Sequence, residues 1–434
     1  MSFSLAALPH LVPSGLLALR AVVRFGLLPF PTGLAVILFL SQLVFTLVAA
    51  GTIDYPHLAL FGRGGTRLHF ERTLLVYDAA ALFTFFACHG AGAAPVVPAE
   101  RAPQPLPLLL RLGAGVALLL AGLTVWSIDR HHAIAHAGYL NVAFDQGFVH
   151  RFGAPLAATL HRLCPFLAAL LAALLVAFLV LRQRALALLF GLLSACSYLY
   201  LLSINTRTAA FGPAILALGA LGLRPRGAMA IAFSSGLLVV YALLNALLGR
   251  EAPAEGLAML PDTFAAVWSP AGAAAALHLL PNLCEGIFVV AEGFGLEARF
   301  GAAYTWLSLS PLPSLADGFV DVLPQQVRLH AYVPMAAVTE LWRFGLLPAA
   351  LVLLLVYGLV RAHFTLRRAS PVAFLAVNFL LFATLFVGFA YPVRSALKFL
   401  WLGYAIVVLT RCTDMSTRRS AAPDIASSPA RGLP

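Results

Sequence analysis

Charge is scarce in this chain. Of its 434 residues, 10% are Asp, Glu, Lys or Arg, where soluble domains carry about 25%. Disorder is excluded as well, because a disordered chain combines low hydrophobicity with high charge. Lysine is almost missing: Lys398 stands alone, so the formal charge of +11 rests on arginine. Those arginines sit in short clusters between apolar segments. That pattern orients a membrane protein and does not suggest a nucleic-acid surface. The cysteines (Cys88, Cys164, Cys196, Cys284, Cys412) are scattered without a CxxC pair, which excludes a disulfide framework or a zinc site. Walker, GxGxxG, HExxH and GxSxG contexts are missing too, so no cofactor, metal or nucleotide-driven chemistry is expected.

Apolar surface is what the chain has in abundance. Hydrophobic residues make up 61%, more than a soluble fold of this size can hide, and they run in stretches long enough to cross about 30 Å of hydrocarbon. A β-barrel would read as short alternating segments instead. The expected fold is an all-α polytopic membrane protein with about ten (10–12) transmembrane helices and a large outer loop. Spans are predicted near 32–51, 74–92, 107–127, 164–181, 185–203, 208–223, 227–248, 344–361, 371–390 and 395–410. Residues 1–31, interrupted by Arg20 and Arg24, read as an interfacial helix, with a spanning helix as the alternative. No cleavable signal peptide is expected. Residues 32–248 hold the first seven spans and 344–410 the last three, and the polar tail 411–434 is expected to be disordered.

Arginine clusters set the orientation. Arg182 and Arg184, Arg224 and Arg226, Arg361 with Arg367 and Arg368, and Arg411 with Arg418 and Arg419 all fall on one side by alternation. The positive-inside rule makes that side the cytoplasm, with both termini there. The segment 52–73 should then be outside, yet it carries Arg63, Arg67 and Arg72. Two long outer segments follow, 128–163 and 249–343. The second holds nine of the 17 acidic residues. Its Ala- and Leu-rich middle, 264–296, suits a buried or re-entrant helix pair, so a folded cap is expected.

Several constellations inside this frame bear on chemistry. Arg207 lies in the tight outer hairpin Ser203-Ile-Asn-Thr-Arg207-Thr, where the orientation code does not need it. It reads either as a snorkelling side chain or as a planar fork for phosphate or carboxylate. The stretch Glu297-Ala-Arg299-Phe-Gly301-Ala-Ala-Tyr304-Thr-Trp306 precedes Ser-Pro-Leu-Pro313. Glu340-Leu-Trp-Arg343-Phe-Gly345 opens a span, with Glu340 and Arg343 on one helix face. His131, His132 and His136 suggest a metal only superficially. Asp54 is a lone acid after the first span, and Asp78 is the main charge deep within one.

Over about residues 200–365 this order resembles the O-antigen polymerase (Wzy-type) family. The points of likeness are the Arg207 hairpin, the Gly301-x-x-Tyr304 followed by proline, and the Glu340-x-x-x-x-Gly345. Trp342-Arg343 and the arginines of 52–73 depart from the family pattern. The resemblance implies a GT-C-like, metal-independent glycosyltransferase of a bacterial inner membrane. It would move a growing glycan from undecaprenyl pyrophosphate to the terminal sugar of a lipid-linked repeat unit at the periplasmic face. The implied partners are that lipid-linked glycan, membrane lipid, a chain-length regulator and a flippase. Nucleic acid is not among them.

Such chemistry needs preorganised positive charge at the leaving pyrophosphate and an acceptor for the sugar hydroxyl's proton. Arg207, Arg299, Arg343 and Arg394 are the expected grip. Glu340, Glu292, Glu285 or His278 handle the acceptor, and Tyr304 and Trp306 stack on sugars. An O-antigen ligase or another lipid-linked-sugar transferase is the alternative within the same chemistry. A polysaccharide or lipid transporter is the alternative outside it, disfavoured by the lack of an internal repeat. A scaffold without activity is a further one.

Overall fold

The computed structural model describes residues 2–26, 28–53, 55, 69–89, 108–127, 154–223, 225–249, 252, 254–312, 314, 316–330 and 333–420. Asp54, Arg63, Arg67, Arg224, Pro313, the His131–His132–His136 group and residues 421–434 lie outside them. The regular structure of the described residues is helical apart from a small hairpin in which β1 (Arg328–His330) pairs antiparallel with β2 (Val333–Pro334). Among the described residues seven helices are long and apolar enough to cross a membrane, or eight if one sharply bent pair counts as a span, fewer than the ten expected.

Before the cap come α1 (Ser2–Phe25), α2 (Leu34–Ala49), α3 (Phe70–Ala87), α4 (Leu108–Ser127), α5 (Ala154–Val180), α6 (Arg184–Ser203), α7 (Phe211–Leu223) and α8 (Ala228–Leu248). Their apolar content makes them helices that satisfy every backbone group internally, as hydrocarbon demands. Helix α1 packs along its neighbours but is not among the helices long and apolar enough to cross a membrane, so the interfacial and spanning readings both stand. It is about 36 Å long and lies against α2 and α3. His10 Nδ1 sits 2.5 Å from Asp78 Oδ2 on α3, and the Arg20 guanidinium lies 4.9 Å from the Phe85 ring centre. Helix α1 is thus parallel to α3. Against α2 it runs antiparallel, with Gly15 beside Phe39 and Ala21 O accepting from the Thr32 hydroxyl. Gln42 Nε2 of α2 donates to Asp78 Oδ1 at 2.8 Å. Asp78 is therefore satisfied by two neighbouring helices, which is how intramembrane carboxylates are commonly tolerated.

A kink precedes α2. Pro29-Phe30-Pro31 departs from helical geometry at Phe30 (φ −121°, ψ 126°). Proline cannot continue the backbone ladder, so the open N–H and C=O of Phe30 need other partners. Asn378 supplies both, its Oδ1 accepting from Phe30 N at 2.9 Å and its Nδ2 donating to Phe30 O at 2.6 Å.

The cap follows α8. Helices α9 (Met259–Val267) and α10 (Pro270–Leu283) meet at 92°, and α11 (Glu285–Gly295) follows directly. The stretch 264–296 is thus helical almost throughout, in line with its composition. Then come α12 (Ala302–Ser308), a single turn at Phe319–Val322, the small hairpin and α13 (Ala337–Phe344). Spans α14 (Leu346–Ala369), α15 (Pro371–Gly388) and α16 (Val393–Ser420) close the chain. Arg361 Nη1 of α14 donates to His89 O just beyond α3, bringing those two helix ends together. Helix α16 runs on to Ser420, ten residues into the tail expected to be disordered. Nothing in that segment breaks a helix until Pro423.

Helix α11 organises the cap. Ile287–Ala291 is buried all round the helix, and Phe288 stacks on Tyr55 (ring centres 4.7 Å) and meets Phe45 edge-on. Two glycines a double turn apart let neighbours close in. A Cβ on Gly293 would stand 2.8 Å from the Thr339 hydroxyl of α13, and one on Gly286 would meet the Phe389 backbone. Gly345, between α13 and α14, adopts φ 93° and ψ 178°. Only glycine adopts that region readily, which explains the residue that ends the Glu340–Gly345 motif.

Candidate functional site at the ends of helix α11

The first end of α11 faces the Arg207 hairpin. Asn205 turns the chain with φ 53°, and Thr206 Oγ1 accepts from Thr208 N at 3.3 Å to start the short helical turn Arg207–Ala210. Arg207 Nη1 then donates to Glu285 Oε2 at 3.0 Å. The Arg207 side chain is 40% exposed and that of Glu285 24%. Solvent can reach the pair, so a ligand can exchange with it. Tyr55 stands close enough for its hydroxyl to feel both charges.

Glu292 lies seven residues along the same helix, hence on the same face. Its Oε2 is buried and has no hydrogen-bond partner among the described residues. Burial pushes this carboxyl above its ordinary value. A desolvated carboxylate of raised basicity is suited to take a proton from a hydroxyl.

The other end of α11 meets Arg343 of α13. Arg343 Nη2 donates to Phe294 O at 3.4 Å and to Leu296 O, carbonyls that the helix end leaves open. Trp342, 70% exposed, contacts Phe294 edge-on. His69, which precedes α3, lies against Phe294 with ring centres 6.3 Å apart. Burial, then the charges of Arg72 and Arg343, push the His69 imidazole below its ordinary value.

Three expected site residues have other work. Glu340 is fully buried: Oε1 accepts from the Tyr304 hydroxyl at 2.9 Å, and Oε2 accepts from Val393 N at 2.7 Å. With both oxygens occupied, it cannot reach a sugar hydroxyl in this arrangement. Tyr304 is fully buried as well, packed on Phe300, Phe319 and Phe344, so it offers no face to a sugar. Trp306, 48% exposed, can still do so. Arg394 is 5% exposed. It binds both oxygens of Asp317 (3.0 and 2.9 Å), Ser314 Oγ, Leu307 O and Leu312 O, and lies over the Phe319 ring. Its fork is filled by the cap, leaving little for a pyrophosphate. Burial opposes the charge on Asp317, but bonds from Ser310, Arg394 and Phe319 N outweigh it and hold the carboxyl below its ordinary value. Arg299 is exposed, and His278 is half-buried on α10, seven residues before Glu285. No family model matches the chain, and no curated protein or solved structure matches it. The site must be read from its own geometry.

Glu340 carries a pH dependence with a definite sign. Burial pushes its carboxyl from 4.5 up to about 7, against the bonds from Val393 N and Tyr304. Between those values the folded state holds more protons than the unfolded one. Stability therefore falls as pH rises from about 4.5 to about 7, and levels off above. We expect the melting midpoint in detergent to drop over that range and Glu340→Gln to flatten the slope. An equal slope in the variant would assign the effect to another group.

Proposed function

We propose that this chain is a polymerase of lipid-linked glycans. A growing glycan would leave its polyprenyl pyrophosphate for the terminal sugar hydroxyl of a second lipid-linked unit. The observation that carries the reading is the accessible Arg207–Glu285 pair at the outer mouth of the bundle, with the desolvated Glu292 two turns further along one helix face. A pyrophosphate held at headgroup depth by its lipid would compete with Glu285 for the Arg207 fork. The bond from the sugar's anomeric carbon to pyrophosphate breaks, and a bond to the acceptor oxygen forms. The hydroxyl proton passes to a cap carboxylate, for which Glu292 has the free lone pairs. Pyrophosphate leaves without needing a proton, so positive charge is the main requirement there.

Eight helices before the cap and three after it give eleven crossings if α1 and the shorter apolar helices all span. Because α1 is parallel to α3, Arg20 and Arg24 then fall on the side of the other cytoplasmic clusters, as the positive-inside rule asks. The start of α1 would lie outside, opposite to the expectation for the N-terminus.

The test is reconstitution of the full chain in vesicles with an undecaprenyl-pyrophosphate-linked repeat unit. A ladder of lengthened lipid-linked glycans is expected. Transfer to a lipid A core without lengthening would mean a ligase, and movement of the unit across the bilayer without new bonds would mean a transporter.

A further inference from the structure

The two ends of α11 differ in charge balance. At the first, Arg207 already faces a carboxylate, so the pair is neutral. At the second, His69 and Arg343 both lie against Phe294, Arg72 follows His69 by three residues, and no described carboxylate lies within 4.0 Å of either guanidinium. Glu71, one residue before Arg72, is exposed, and Glu297 is exposed beyond Leu296. Two donor-capable atoms here have no hydrogen-bond partner although they are buried: Arg343 Nε and His69 Nδ1. Nature seldom leaves buried polar atoms unmatched, because each costs what a lost hydrogen bond costs. Arg343 is also aimed, since Phe294 O and Leu296 O fix one of its terminal nitrogens. Both groups stand at outer ends of spans, His69 just before α3 and Arg343 just before α14. That is the depth of a lipid headgroup.

We propose that His69, Arg72 and Arg343 form a second anion site, which takes a phosphate-class headgroup at the outer membrane surface. Uncompensated cations beside unmatched buried donors are what such a ligand completes. The site gives Arg72 a role that orientation does not. Its distance from the Arg207–Glu285 pair is about 15 Å along the axis of α11, too far for one pyrophosphate to touch both. Resting on the polymerase reading, we assign the Arg207 end to the donor's pyrophosphate and this end to the acceptor's.

Equilibrium dialysis of labelled inorganic pyrophosphate against the full chain in uncharged detergent tests this. Two molecules are expected per chain. Arg72→Glu and His69→Gln should each weaken one site by roughly tenfold or more and spare the other, while Arg207→Ala does the reverse. Arg72 is exposed, so Arg72→Ala, checked for monodispersity, guards against misfolding. A single site, or two sites untouched by both the Arg72 and His69 variants, overturns the proposal. In a second arm, nanodiscs containing phosphatidylglycerol are added as competitor. Displacement from the Arg72 site would overturn the acceptor assignment in favour of bulk lipid. The glycan ladder is read in parallel. Two pyrophosphate sites without a ladder would sink the polymerase reading alone, and a ladder with one site would sink the second site alone.

Discussion

Arg207→Ala is expected to abolish the glycan ladder while the protein stays folded. The side chain is 40% exposed and its ion pair with Glu285 is reachable by solvent, so the fold draws little from it; exposed pairs contribute about 0–1 kcal/mol. Activity should respond far more. Removing one preorganised donor from developing charge costs roughly 100- to 1,000-fold in rate, and here the whole fork is removed. Arg207→Lys keeps the charge but loses the planar two-point grip, so an intermediate, shorter ladder is expected. Glu285→Gln separates the roles further. If Glu285 only occupies Arg207 until the pyrophosphate arrives, the Gln variant retains activity and binds pyrophosphate more tightly. Wild-type ladder length and yield from Arg207→Ala would remove Arg207 from the site.

The second large effect is on folding. Arg394→Ala should strip the cap from the bundle. It removes the partner of both Asp317 oxygens and leaves Leu307 O, Leu312 O and Ser314 Oγ without their donor. Truncating one member of a buried pair is among the costliest single changes, because the other charge stays behind. A fall of roughly 5–10 °C in melting midpoint is expected, with aggregation on size exclusion. Asp317→Asn should be milder, since the amide can still accept one bond. Replacing both partners with apolar residues should recover part of the loss. The opposite result would be informative. If Arg394→Ala stays monodisperse with a wild-type midpoint yet makes no glycan, Arg394 belongs with the substrate, as the family resemblance implies.

These two arginines show what the sequence makes legible. Both stand out as arginines that orientation does not require, and pattern alone treats them alike. Their partners separate them: Glu285 is 78 residues from Arg207 and Asp317 is 77 from Arg394, and no periodicity reports contacts at that range. Seven of the ten expected spans are matched by long apolar helices, because hydrocarbon imposes length and composition. The folded cap was readable from the Ala- and Leu-rich stretch inside a long outer segment. Helix α1 was harder, since Pro9, Pro13, Arg20 and Arg24 look like interruptions. Its placement depends on His10 meeting Asp78, a fact of tertiary packing. Glu340 misled for the same reason. An acid near a helix start reads as available, and only the structure shows Tyr304 and Val393 closing on it. His69 carried no signal at all, being one histidine before an apolar run.

The anchoring of the cap has a mechanical consequence. Glu340 grips Val393 and Asp317 grips Arg394, so two latches from distant parts of the cap close on consecutive residues at the start of α16. At the first end of α11 an exchangeable ion pair joins Glu285 to Arg207, beside the buried Thr263–Asn245 bond and the Phe288–Tyr55 stack. A load on the cap would release that ion pair before either latch. The cap is therefore pinned at the start of α16 by two buried polar grips, while its Arg207 edge combines an exchangeable ion pair with the buried packing of Phe288 and Thr263.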